Sequence, residues 1–179
     1  VDNCYGEFVE KMEPPQVGVD LTVGSLIKNP GGGIAPAGGY VVGREDLVEE
    51  VAESLTAPGL GSEMGASLAD PRSLYQGFYL APHVVAEALK GAVFAAGLYA
   101  KLGFEVSPHY SDIRSDIVQA IKMDSTERLK EFCHYIQANS PVDSQAVPEP
   151  AFLPGYSDPV IMAAGTFVQG SSIELSADA

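Results

Sequence analysis

Basic residues are scarce: 10 Lys and Arg stand against 24 Asp and Glu, a formal charge of −14. That balance repels phosphate backbones and anionic lipid heads, so nucleic-acid partners and membrane-surface roles are disfavoured. Any anionic ligand must be held by a local device, not by the general field. Cysteine is equally sparse. Cys4 and Cys133 are the two present; they make no disulfide framework, their spacing matches no zinc motif, and a reducing cytoplasm is the expected compartment. Long apolar runs are missing too. The longest uncharged apolar run, Gly91 to Ala100, lies between Lys90 and Lys101 and falls well short of the about 18 residues a membrane span needs. No internal repeat is visible at solenoid or propeller periods.

What is present is enough apolar residue, 46% of the chain, for a real core, with 19 Gly and 13 Pro marking frequent turns. Val19 to Leu26 is β-rich and is broken by the turn Asn29 to Gly33. Gly39 to Gly43 reads as a short buried strand. Glu45 to Thr56 predicts a helix, with Leu47, Val48, Val51 and Leu55 on one face and Glu45 and Asp46 in the first turn, where the dipole favours anions. A longer helix is predicted over Pro82 to Leu102, with Pro82 at its first position and Gly103 as C-terminal cap. Val85, Leu89, Val93, Ala96 and Ala100 form its stripe.

After Gly103 the texture changes. Phe104 to Val106 and Asp116 to Met123 read as strands, and Ser125 caps a helix carrying Leu129, Phe132, Cys133 and Ile136 on one face. A Pro-rich connector, Ser140 to Pro159, leads to strands at Val160 to Phe167 and Ser172 to Ser176. The order predicts an α/β domain over residues 1–103 and a small α+β domain over 104–179. Beginning at Val1 in strand-like sequence, the chain reads as a piece of something longer.

Lys28 draws attention first. It follows a hydrophobic strand and precedes a Gly-rich turn, which puts its amine at a strand's C-terminal edge, where open α/β sheets bind ligands. Such a lysine can be a point charge for phosphate, a Schiff-base nucleophile or a solvated surface residue, and taken alone the last is the commonest. A P-loop needs its glycines before the lysine; here Gly31, Gly32 and Gly33 follow it. Two further residues raise the Schiff-base reading. Asp2 ends an apolar approach and Ser25 lies three residues before Lys28. A pyridoxal 5'-phosphate (PLP) site needs a carboxylate for the pyridine nitrogen, a lysine for the imine and hydroxyls for the phosphate. Other polar residues read more plainly. His83, His109 and His134 are scattered, with no metal-ligand pattern. Gly170-Ser171-Ser172-Ile173 lacks the nucleophile elbow of serine hydrolases. The loop Thr56 to Gly65 reads as structural, and Cys4 and Tyr5, beside Asp2, line a pocket or serve packing.

Val1-Asp2-Asn3 together with Gly24-Ser25-Leu26-Ile27-Lys28 resembles the V-D-N…S-x-x-K arrangement of the Cys/Met-metabolism family of PLP enzymes, fold type I. The segments KNPGGGIAPAGGYVVG, APHVVAEALKGAVFAAGLY and DPVIMAAGTFVQGSSIELSAD are similar to its methionine γ-lyase-like, aluminium-resistance members, so the resemblance covers nearly the whole chain. It implies Asp2 as partner of the pyridine nitrogen, Lys28 as Schiff-base lysine and catalytic base, and Ser25 as a phosphate contact. Where commoner members have S-A-T-K, this chain has Ile27 in place of the Thr. The resemblance also implies the PLP-transferase fold, in which residues 1–103 complete the large cofactor-binding domain and 104–179 form the small C-terminal one. It puts the phosphate loop, the ring-stacking aromatic and the carboxylate-gripping arginine outside this chain; Arg44, Arg72, Arg114 and Arg128 do not match that arginine's position. The implied activity is carbon–sulfur cleavage of a sulfur-containing amino acid by a homodimer or homotetramer. Transamination on the same anchors, and a non-catalytic interaction domain that kept the fold, are the alternatives.

Overall fold

The computed structural model describes residues 1–63 and 71–161 and the backbone of 177–178. Helices and strands are mixed in the order β1 (Leu21–Ser25), β2 (Gly39–Gly43), α1 (Glu45–Leu55), α2 (Pro71–Lys101), β3 (Glu105–Ser107), β4 (Ala120–Lys122), α3 (Thr126–Ala138), β5 (Val160–Ile161) and β6 (Ala177–Asp178). Consecutive strands pair antiparallel as β1–β2, β3–β4 and β5–β6. One parallel contact joins Asp2 to Val23 of β1. The chain divides into two compact units, Val1–Glu87 with Ser115–Ile117, and Ala88–Arg114 with Val118–Ala179. No described helix is long and apolar enough to cross a membrane.

In the first unit β1 and β2 pair in register from Leu21 opposite Gly43 to Ser25 opposite Gly39. The extended segment at Val1–Asn3 adds itself to the free edge of β1: Val23 N–H donates to Val1 O at 2.9 Å and Asn3 N–H to Val23 O at 2.8 Å. Thr22 and Ala35 are buried. Strand β2 has the expected bounds but is not buried; its residues are half-buried or exposed, as suits a strand whose described partner lies on one side only. Helix α1 follows with Glu45 and Asp46 in its first turn.

Helix α2 departs from expectation at its start. It begins at Pro71, so Pro82 lies inside it. A proline fits the first turn because its missing N–H has no intrahelical partner there; Pro71 occupies that position. Pro82 removes one interior hydrogen bond, and the helix continues where Ala81 and Val85 are both buried. The buried line runs Ala81, Val85, Ala92 and Ala96, spaced four, seven and four residues apart as a helical face requires. Val93, expected in the stripe, is turned 39% exposed, since Ala92 takes the inward position.

In the second unit α2 stops as predicted. Phe104 N–H donates to Tyr99 O at 3.0 Å and Gly103 N–H to Ala100 O at 3.1 Å, the paired bonds of a Schellman motif. Gly103 has φ +93°, and the Phe104 and Tyr99 rings meet edge-on at 5.7 Å. Helix α3 is capped by Ser125, whose hydroxyl accepts from Arg128 N–H at 3.3 Å. Its Cys133 and Ile161 of β5 form a buried cluster against Leu129 and Phe132. Ile136 is 39% exposed, and Gln137 is buried in its stead; its amide donates to the carbonyls of Val142 and Asp143. Of the strand expected at Asp116 to Met123, only Ala120–Lys122 forms. The strands expected beyond Ile161, through Ser172 to Ser176, lie outside the described residues.

Candidate functional site

Around the end of β1, three short stretches from the first unit converge. At Ser25 the strand gives way to a tight turn. Lys28 N–H donates to Ser25 O at 3.3 Å, while Ile27 N–H donates to Ser25 Oγ at 3.3 Å. Gly31 N–H then returns to Lys28 O at 2.9 Å. Asn29, fully buried, donates its Nδ2 to Glu7 O at 3.1 Å. Gly31 and Gly32 lie directly against Gly77 of α2, so close that an added Cβ on Gly77 would stand 2.2 Å from Gly31 O. The backbone of Lys28 is thus fixed on both flanks.

The second wall is the segment after Asp2. Asp2 Oδ1 accepts from Cys4 N–H at 3.0 Å, and Gly6 N–H donates to Asn3 O at 2.9 Å. Tyr5 adopts a left-handed backbone, φ +73°, a region that non-glycine residues visit rarely. Its carbonyl accepts from Ile117 N–H at 3.1 Å. The Lys28 ammonium lies over the Tyr5 ring, Nζ 4.6 Å from the centroid.

Electrostatics follow from these contacts. Hydrogen bonds from the Cys4 thiol and backbone N–H hold the Asp2 carboxyl below the usual carboxylate range, and the Lys28 charge adds to the effect. The Cys4 thiol is pushed up, first by burial and then by its hydrogen bond to Asp2, with Lys28 acting against both. Beneath the turn, burial raises the Glu7 carboxyl although the Tyr40 hydroxyl donates to it, at 2.8 Å to Oε1. Tyr40 is raised in turn, by burial and by Glu7.

Of the residues singled out from sequence, Ser25 and Lys28 share one turn, and Asp2 is near enough for the Lys28 charge to act on it. Cys4 and Tyr5 line the same place. Sequence reasoning did not find the buried tie from Asn29 to Glu7; an Asn directly before Pro-Gly-Gly-Gly is the signal that marks it, since Asn supports turns with its side chain.

The sequence profile of the methionine gamma-lyase family matches residues 1–179. The YnbB protein of Bacillus subtilis (strain 168), itself uncharacterised, is 55% identical over 178 residues, which cover 99% of this chain and 42% of that protein. A carbon-sulfur lyase involved in aluminium resistance from Clostridium novyi NT superposes with a TM-score of 0.87 at 54% identity, over 98% of this chain and 41% of that one. A Listeria monocytogenes protein, provisionally termed a cystathionine beta-lyase involved in aluminium resistance, gives a TM-score of 0.90 at 54% identity, over 100% of this chain and 44% of that one. The chain therefore spans less than half the length of these relatives. Matched from end to end by one family profile, the chain belongs to the methionine gamma-lyase family.

Proposed function

We propose that the protein carrying this chain is a PLP-dependent carbon–sulfur lyase acting on a sulfur-containing amino acid, with Lys28 holding the cofactor. The observation that carries the reading is Lys28 in the fixed turn that follows β1, near enough to Asp2 for its charge to help lower that carboxyl. The donor set fits the cofactor in kind: an amine that can form an imine, an anion for the pyridine nitrogen, and a hydroxyl. Ser25 Oγ accepts from Ile27 N–H, an arrangement in which the hydroxyl proton can be given to a phosphate oxygen. PLP, when bound, supplies an electron sink for the carbanion at the substrate Cα.

Each residue then has a stated task. Asp2, kept anionic by Cys4, would hold a proton at the pyridine nitrogen. Lys28 would hold the cofactor through its amine and, once that amine is free, would take the substrate Cα proton as general base. The turn from Ser25 to Gly31 keeps its backbone in place through both tasks. In this reading residues 1–103 belong to the large domain of a fold-type I enzyme and 104–179 to the small one. Cytoplasmic location and assembly as a homodimer or homotetramer are part of the same proposal; Tyr75 and Tyr79, exposed on α2, offer surface that suits an interface.

The test is the absorption spectrum of the PLP-loaded whole protein with and without cystathionine and methionine, with keto acid and thiol measured. The account expects a visible imine band that changes on substrate addition, and thiol release. Amino transfer that depends on an added keto-acid acceptor would assign transamination instead, and absence of any imine band would contradict the cofactor reading.

A further inference from the structure

We infer that Tyr5 is a positioning residue for Lys28, its ring face receiving the Lys28 ammonium whenever that amine holds a proton. The inference rests on the proposed role of Lys28 as the catalytic base and names a residue that role needs. Lys28 Nζ stands 4.6 Å from the Tyr5 centroid, within the roughly 6 Å over which a ring quadrupole attracts a cation. A neutral amine feels no such attraction. The contact therefore distinguishes the two protonation states of the side chain, which is what a base needs on accepting a proton.

The backbone supports the same conclusion. Left-handed φ costs an aromatic residue free energy and persists only where the surroundings over-determine it. At Tyr5 they do: Ile117 N–H holds its carbonyl, Gly6 N–H holds that of Asn3, and Asp2 Oδ1 holds Cys4 N–H. Straightening Tyr5 to negative φ would swing the ring off Lys28. Asp2, Cys4 and the Val1 ammonium are ionisable groups that act at this place. Asp2 is engaged with Cys4, and in the proposed enzyme its carboxylate serves the cofactor. The Cys4 thiol also interacts with Lys28, and the Tyr5 ring adds an apolar face over which the lysine cation lies. In the reaction the substrate Cα–H bond breaks, the electron pair stays on the substrate, and the proton forms a new N–H bond on Lys28. The ammonium so formed rests on Tyr5 until it returns the proton.

Two substitutions separate ring from residue. Tyr5→Phe keeps the π face, and Tyr5→Asn removes it while suiting the left-handed backbone, so the fold is spared. Reductive methylation of the chain with ¹³C-formaldehyde, read by NMR, needs no cofactor: the Lys28 methyl signal should be ring-current shifted upfield in wild type and in Tyr5→Phe, and unshifted in Tyr5→Asn. In the PLP-loaded whole protein, Tyr5→Asn should lower kcat by roughly three- to thirtyfold with KM little changed, and enlarge the isotope effect from α-deuterated substrate. Tyr5→Phe should remain close to wild type in both. An unshifted wild-type signal, or a Tyr5→Asn enzyme with normal kcat and isotope effect, overturns the inference. A wild-type protein that forms no imine refutes the proposed function instead, and the NMR comparison still decides whether Tyr5 holds Lys28.

Discussion

Gly31 O and the Cα of Gly77 face each other with no room for a side chain: a Cβ on Gly77 would come within 2.2 Å of that oxygen. Helix α2 is thereby seated directly on the turn that carries Lys28. Gly77→Ala should force the two backbones apart and destabilise the protein by about 1–3 kcal/mol or more, as overpacking does. Gly91, in the same helix, meets nothing within 4 Å. Gly91→Ala should be neutral or stabilising by up to about 1 kcal/mol. Denaturant titration of both variants compares them, and equal stabilities would dispose of the close-packing account.

Asn29→Ala removes the buried Nδ2–H bond to Glu7 O and leaves a cavity beside an unsatisfied carbonyl. A loss of about 1–3 kcal/mol is expected, together with slower modification of Lys28 by PLP, because the turn is no longer tied to the segment beneath it. A variant as stable as wild type would show that the tie is dispensable.

Glu7 sets a pH dependence. Its folded carboxyl is raised by burial, so the folded state binds a proton more readily than the unfolded one. The stability this contributes is fully present below the unfolded pKa and is lost as pH rises through the folded value, above which it stays level. Glu7→Gln should flatten that decline. Asp2, lowered in the folded protein, acts oppositely: its contribution is present above the unfolded pKa and lost as pH falls through the folded one. Unfolding midpoints across acidic to neutral pH, compared for wild type and Glu7→Gln, check the sign, and identical slopes in the two would remove Glu7 from the account.

Asp2→Asn in the whole protein should retain PLP yet lower turnover by orders of magnitude, since a neutral amide does not hold the pyridine nitrogen protonated. Near-normal turnover with an unchanged spectrum would assign Asp2 another task.

Local chemistry was readable where it stands alone in the chain. The acidic first turn of α1, Ser125 before α3 and Gly103 after α2 each act through neighbours a few residues away, and each element begins or ends there. The start of α2 is not legible locally, because Pro71 and Pro82 both suit a first helical turn. Packing around Ala81 and Val85 carries the helix through Pro82, and no local signal reports that. Near the site, Asp2, Ser25 and Lys28 were legible as residue types in a family-like pattern. The left-handed Tyr5 and the Asn29–Glu7 bond were not, because both depend on partners distant in sequence: Ile117 in one case and Glu7 in the other.

The central claim is that Lys28 is the lysine that holds PLP. Borohydride reduction of the PLP-loaded whole protein, followed by peptide mapping, reads it directly. The account predicts the label on the peptide containing Lys28, and its loss together with lyase activity in a folded Lys28→Ala variant. A label on Lys90, Lys122 or any other lysine, undiminished in Lys28→Ala, would contradict it.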